Sequence, residues 1–305
     1  MNLLITRHDK IGDFLVTLPL CKAIKTQFPA TKISVLVSKI NYDFARKLPF
    51  IDDVILYQKD DFFGMLKLIR AKKFNASISA FIDTRLGWLL YLSGIKKRIA
   101  PATKIAQIFF NHKVTQRRSQ VAKTEWEYNL DLSKELFGDI KLEFMRPLID
   151  VNVPKENRVI FHMGFGGSSD GNLTPHDYMR LAKLASNTSE VVFSFGPDDG
   201  VSKEFVKQHL DFVAIIRDDF ASLWDFMCFI ATAKLFVSTS TGPMHLAGAT
   251  NTPTLSFFGK SLFASYKRWA TISEPNLQSN FMIAKDYNEE EFERIQNQII
   301  NILTI

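Results

Sequence analysis

Cysteine is almost absent from this chain. Among 305 residues only Cys21 and Cys228 occur, which excludes a disulfide scaffold and a cysteine-built metal site. The six histidines, at positions 8, 112, 162, 176, 209 and 245, contain no pair at the spacing with which a helix presents two metal ligands. Long apolar runs are missing too: no stretch approaches the roughly 18 uninterrupted apolar residues of a membrane-spanning helix. The opening MNLLITRHDK is too short and too soon charged for a secretory signal, so the expectation is a cytoplasmic protein. Acidic residues are lacking over one long segment, from Thr84 to Lys123.

What is present is ordinary globular composition, 46% hydrophobic and 23% charged, which excludes a disordered chain. Lys and Arg number 38 against 32 Asp and Glu, a formal charge of +6. At about 100–200 residues per domain the length suggests two domains, each able to bury a core.

Short aliphatic runs at Leu3–Thr6, Ile33–Val37, Val54–Tyr57 and Ala76–Phe81 alternate with segments of helical spacing, such as Phe14, Leu18, Cys21, Ile24 and Phe28. Asp61–Lys72 and Arg85–Ser93 read as helices as well. The strand runs are apolar on successive residues, as strands covered on both faces require. The pattern restarts with strands at Arg158–Met163, Val191–Phe195, Leu235–Ser238 and Thr252–Phe257, and helices at Pro175–Ser186, Ser222–Ala233 and Gly242–Ala249. Strand–helix alternation predicts an α/β fold of two Rossmann-like domains, over residues 1–150 and 151–285, facing a central cleft. Residues 286–305 form an amphipathic helix, with Phe292, Ile295, Ile299 and Ile302 on one side, packing on the domains. Ligands of such sheets bind beyond the carboxyl ends of the strands, so polar residues just after strands carry the functional information.

Four segments qualify. After the first strand comes Arg7-His8-Asp9-Lys10-Ile11-Gly12-Asp13. Asp9 or Asp13 is either a helix N-cap or a general base, with the helix N-terminus favouring its ionised form and so weakening its basicity. The segment Ser238-Thr239-Ser240-Thr241-Gly242-Pro243-Met244-His245 ends a strand in hydroxyls and glycine before a short helix. Its backbone N–H groups, hydroxyls and helix dipole make a phosphate site, to which His245 adds a donor; the plainer alternative is a Ser/Thr cap with a core histidine. Gly164, Gly166 and Gly167 lie in a glycine-rich loop that lets a ligand approach the backbone. Its third glycine is misplaced for a dinucleotide motif, since Ser169 stands there. Last, the acid-free segment carries Arg85, Lys96, Lys97, Arg98, Lys104, Lys113, Arg117, Arg118 and Lys123 with Trp88, Phe109 and Phe110 between them. A one-signed field of this length faces an anion, and no nucleic-acid-binding module accompanies it.

These residues resemble the family 9 glycosyltransferases, the bacterial lipopolysaccharide heptosyltransferases, over nearly the whole chain. The resemblance is carried by Arg7-x-Asp9-x-Ile11-Gly12-Asp13 with Leu18-Pro19, Phe28-Pro29 and Pro49-Phe50-Ile51-Asp52. It continues in Gly94–Ile99, in Glu127-Tyr128-Asn129-Leu130, and most clearly in Thr241-Gly242-Pro243-Met244-His245-Leu246-Ala247 with Phe258-Gly259. It implies the GT-B fold and metal-independent, inverting sugar transfer without a cofactor. An ADP-sugar is implied as donor on the C-terminal domain, and an anionic lipopolysaccharide core or lipid A acceptor on the N-terminal one. It makes Asp13 the catalytic base and assigns the donor to Ser240, Thr241, Gly242, His245, the Gly164–Gly167 loop, Asn172 and Asp199. It assigns the acceptor to Arg7, Gly12, Arg98, Lys104, Arg117 and Arg118, and implies peripheral work at the cytoplasmic face of the inner membrane.

Two positions depart from the family pattern: Ser240 where Asp or Asn is usual before Thr-Gly, and Asn172 where a Lys or Arg is usual. Losing a charge-assisted bond to phosphate costs on the order of 1.5–3 kcal/mol, so another cation compensates or the donor differs. The other readings open at this point are a nucleotide-sugar epimerase or hydrolase of the same fold, a non-catalytic family member and, on the imperfect glycine loop alone, a nicotinamide oxidoreductase.

Overall fold

The structure, a computed structural model, describes residues 1–138, 146–164 and 171–304. The chain divides into two compact units, Met1–Met145 and Arg146–Ile305. The first holds strands β1 (Asn2–Arg7), β2 (Lys32–Val37), β3 (Asp53–Leu56), β4 (Ala76–Ser79), β5 (Lys97–Pro101) and β6 (His112–Val114). Its helices are α1 (Ile11–Leu15), α2 (Leu18–Gln27), α3 (Lys39–Ala45), α4 (Phe62–Lys72), α5 (Thr84–Leu92), α6 (Glu125–Asp131) and α7 (Lys134–Phe137). The second holds β7 (Arg158–His162), β8 (Glu190–Ser194), β9 (Ile215–Arg217), β10 (Leu235–Thr239), β11 (Thr254–Gly259) and β12 (Gln278–Ile283). With them come α8 (Pro175–Ala185), α9 (Gly200–His209), α10 (Leu223–Ala231), α11 (Gly242–Ala249), α12 (Tyr266–Trp269) and α13 (Glu289–Thr304).

Each unit is a six-stranded sheet with every pair parallel, ordered β3-β2-β1-β4-β5-β6 in one and β12-β11-β10-β7-β8-β9 in the other. Counted from its own first strand, each order is 3-2-1-4-5-6. The chain therefore runs outward from β1 (or β7) on one side, then crosses back to start β4 (or β10) on the other. At that reversal the adjoining loops leave in opposite directions and open a crevice beyond the strand ends. β1 ends at Arg7 beside β4, and β7 ends at His162 beside β10.

The two-sided burial expected of these strands is observed: Leu3, Leu4 and Ile5 of β1 are all inaccessible. Leu4 faces Leu36, Ile55 and the inner sides of α4 and α5, through Met65, Ile69, Leu86, Leu89 and Leu90. In the second unit Val159, Phe161, Val191, Phe193, Val237, Leu255 and Phe257 meet α8 and α13. The last helix buries Phe292, Ile295, Ile299 and Leu303 in that core, each such side chain contributing about 1.5–3 kcal/mol.

Truncating Ile299, which is fully buried, to alanine is expected to lower the stability of the second unit by about 2–5 kcal/mol. The same change at its neighbour Ile300, on the outer side of α13, should cost below about 1 kcal/mol. Urea unfolding followed by far-ultraviolet circular dichroism measures both.

Candidate active site

In the first unit the polar loop follows β1 directly, and its centre is the buried side chain of Arg7. The guanidinium Nε donates to Asp9 Oδ1 (2.7 Å), Nη1 to the Ala80 carbonyl at the end of β4 (3.2 Å), and Nη2 to Asp13 Oδ1. Burial by itself would lower the Arg7 pKa, but the charges of Asp13 and Asp9 outweigh it and leave it raised. Asp13 keeps about a fifth of its side chain exposed, against 6% for Arg7. Its carboxyl is held above the ordinary aspartate value: burial drives it up, Arg7 pulls it down, and Asp9 and Glu125 push it up again.

Neither Asp9 nor Asp13 is an N-cap. Lys10 occupies that position of α1 without a side-chain bond, and Asp13 lies in the first turn. Among the influences that raise the Asp13 carboxyl, desolvation is the largest. The Asp13 backbone is fixed in turn. Thr17 donates its hydroxyl to the Asp13 carbonyl (2.9 Å), and Asn129 of α6 donates to the Val16 carbonyl (3.0 Å).

Beside this loop lies a pair that sequence reasoning missed. His8 Nε2 bonds Asp83 Oδ2 at 2.8 Å, and Asp83 also caps α5 by accepting from the Leu86 N–H (2.7 Å). The bond from His8 is the main reason the Asp83 carboxyl sits below its ordinary value. The sequence signal was there: an aspartate three residues before Leu86 opens an apolar helix.

Of the cations assigned to the acceptor, the structure brings Lys104 to this end of the sheet. Its Nζ lies 4.2 Å from the centroid of the Phe81 ring, against which His8 and Arg7 also pack. Arg98 instead donates to the backbone carbonyls of Phe109 and Ile95. Arg118 donates to Glu125, a buried carboxylate, at 2.6 Å. Arg117 is exposed.

In the second unit β10 runs into Ser240 and Thr241. Ser240 donates its N–H to the Phe257 carbonyl (2.9 Å), and the Thr239 hydroxyl donates to the Gly171 carbonyl (2.6 Å). Thr241 is the N-cap residue of α11, yet its hydroxyl is turned to the Thr239 carbonyl (3.3 Å) and makes no capping bond. The first turn of α11, beginning at Gly242, thus keeps its amide dipoles without a side-chain cap. His245 is buried in the same turn, its Nδ1 without a partner among the described residues, and burial holds its pKa down at about 4. It is neutral at pH 7.

Glycine is required at Gly171, where a β-carbon would sit 2.2 Å from the backbone of Phe258; at Gly164 a β-carbon would sit 2.2 Å from the Asp199 carboxylate, so that side chain would have to move. Asp199 is folded inward, accepting from the Gly196 N–H at 2.6 Å. It stands 3.8 Å from His162, whose pKa burial lowers against the pull of that carboxylate. Asn172 accepts from the Tyr178 hydroxyl (2.7 Å) and the Leu173 N–H (3.0 Å), tying the loop to α8. Gly166 and Gly167 lie outside the described residues.

Comparison with known proteins is consistent in direction. The family model for glycosyltransferase family 9 (heptosyltransferase) matches residues 82–294. A Haemophilus influenzae protein described as a glycosyltransferase is 36% identical over 301 residues, covering 90% of this chain and 86% of its own. The fold is similar to that of the E. coli ADP-heptose lipopolysaccharide heptosyltransferase II, with a TM-score of 0.81, 14% identity and coverage of 100% of this chain and 99% of that one. It is also similar to E. coli heptosyltransferase WaaC, solved with ADP, with a TM-score of 0.75, 18% identity and coverage of 99% and 100%.

The buried neutral His245 makes the second unit acid-sensitive. Its folded pKa of about 4 lies below the ordinary 6.5, so its contribution is complete above pH 6.5 and is lost as pH falls toward 4. The gap corresponds to roughly 3 kcal/mol. Replacing His245 by Gln is expected to flatten the fall in stability over that window, as read from urea midpoints across pH.

Proposed function

The chain belongs to glycosyltransferase family 9, and we propose that it is an inverting, metal-independent transferase moving heptose or a related sugar from an ADP-sugar to the inner core of lipopolysaccharide. The observation that carries this reading is Asp13 beyond the end of β1, ion-paired to buried Arg7 while burial keeps its carboxyl a better base than an ordinary aspartate. In the proposed reaction the acceptor hydroxyl gives its proton to Asp13 as its oxygen attacks the anomeric carbon. The bond from that carbon to the diphosphate oxygen breaks, and the nucleoside diphosphate leaves with the electron pair. Inversion follows from attack opposite the leaving group. The first turn of α11, with Thr241 and Gly242, receives the diphosphate charge, where backbone N–H groups and the helix dipole stabilise an anion.

His245 is neutral and serves as a donor rather than a cation. Asn172 is already bonded within the unit, so the charge a Lys or Arg brings at this place in the family is absent. That favours a donor whose sugar or phosphate contacts differ from those of the family pattern. On the acceptor side Lys104, held over Phe81, supplies positive charge for an anionic saccharide, while Arg7 is committed to Asp9 and Asp13 and acts by holding them in place. A lipid-linked acceptor puts the enzyme to work as a peripheral protein at the cytoplasmic face of the inner membrane. Among the described residues no helix is long and apolar enough to cross a membrane.

Replacing Asp13 by Asn is expected to reduce kcat by about 10²–10⁴-fold while ADP-sugar affinity, measured by calorimetry, stays near that of the wild type. Wild-type turnover in that variant would remove Asp13 from the mechanism. The acid limb of kcat/KM should move to lower pH in Asp9→Asn, because a charge that raises the Asp13 pKa is gone and Asp13 no longer shares the Arg7 guanidinium with a second carboxylate that it contacts. A pH–rate profile with truncated lipopolysaccharide cores checks the sign.

A further inference from the structure

One helix of the first unit is apolar on both sides. α5 buries Leu86, Leu89 and Leu90 in the core and turns Trp88 (45% exposed), Tyr91 and Leu92 outward. An ordinary surface helix places polar residues at those positions. Next to it a single turn of 3₁₀ helix, Ile105–Phe109, buries Ala106 yet exposes Ile105 (77%) and Ile108 (65%). The two elements touch: the Phe109 ring lies 4.9 Å from Trp88, and a β-carbon on Gly87 would sit 2.5 Å from it. Five large apolar side chains therefore share one surface, unlike the scattered single exposures normal for a soluble protein.

The rim of that surface is cationic. Arg85 stands in the first turn of α5, Arg70 donates to the Leu92 carbonyl (2.8 Å), and the exposed Lys96 and Lys97 follow α5 directly. No acid occurs from Thr84 to Lys123, while the flanking Asp83 spends its carboxylate on the cap of α5 and on His8. We propose that this face docks on an anionic lipid bilayer. Trp88 and Tyr91 sit at the headgroup level, Ile105 and Ile108 enter the acyl boundary, and Lys96 and Lys97 meet lipid phosphates. A soluble partner would need the apolar face matched, whereas a bilayer uses both the aliphatic tips and the one-signed rim. The surface also adjoins the acceptor end of the sheet, since α5 starts at the residue after Asp83 and Lys104 immediately precedes Ile105. Its purpose rests on the lipid-linked acceptor proposed above, but docking requires no transfer.

Sedimentation of the full chain with vesicles tests it. Phosphatidylcholine mixed with phosphatidylglycerol is expected to retain the protein about ten-fold more strongly than phosphatidylcholine alone. Ile105→Ser with Ile108→Ser should weaken binding to the anionic vesicles about ten-fold, and Lys96→Glu with Lys97→Glu should erase the anionic preference. Both variants should keep the wild-type unfolding midpoint, because the altered side chains are exposed. Absence of wild-type binding, or wild-type binding by the isoleucine variant, overturns the proposal. So does a lipid-free dimer, seen by light scattering, that the isoleucine variant dissolves. Vesicle binding without consumption of any ADP-sugar in the presence of truncated lipopolysaccharide cores would leave the docking face standing and bring down the transferase reading instead.

Discussion

A buried guanidinium between two carboxylates is the constraint on which the first unit's site depends. Arg7 cannot turn to water, and its bonds to Asp9, Asp13 and Ala80 leave it no other arrangement. A buried ion pair gains little for stability when desolvation is counted, but removing one partner strands the other and costs about 3–5 kcal/mol. The arrangement is better understood as positioning. It joins the end of β1 to that of β4 and holds both carboxylates against the cation, each with about a fifth of its side chain exposed. The Asp13 carboxyl is thereby oriented and held above its ordinary value, because burial works against the nearby positive charge.

The candidate anion site proposed for the second unit is built differently, from main-chain groups rather than from charged side chains. Thr241 turns its hydroxyl back to β10 and leaves the start of α11 uncapped, while Gly171 lets the adjoining loop come against Phe258. Both sites fall at the strand-order reversal of their own sheets, β1 beside β4 and β7 beside β10. The same topological position thus carries a side-chain cluster in one unit and an uncapped helix start in the other.

Much of this was legible in the residues. Four strands of each sheet announce themselves as apolar runs: in the second unit they are the four central ones, and in the first they include the edge strand β3. β5, β6, β9 and β12 are not legible, and the reason is physical: Lys97, Arg98, His112, Arg217 and Gln278 interrupt the apolar pattern, in β5 even though it lies between β4 and β6. The acid-free segment from Thr84 was read as a single ligand-facing field. In the fold its cations separate, with Arg118 serving Glu125 and Arg98 serving backbone carbonyls, while Lys104 joins Arg7 and His8 at Phe81. Pairings between residues distant in sequence, such as His8 with Asp83, leave no mark in local spacing. The elevated Asp13 pKa is equally invisible there, because it depends on how deeply the fold seats the side chain.

The most direct measurement is a ¹³C titration of the Asp13 carboxyl in the intact protein, assigned by comparison with Asp13→Asn. A midpoint above the ordinary aspartate value of 3.8 is predicted, moving higher still when Arg7 is replaced by Gln. A midpoint at or below that value, insensitive to Arg7, would mean that water rather than Arg7 surrounds the group, and would contradict the account.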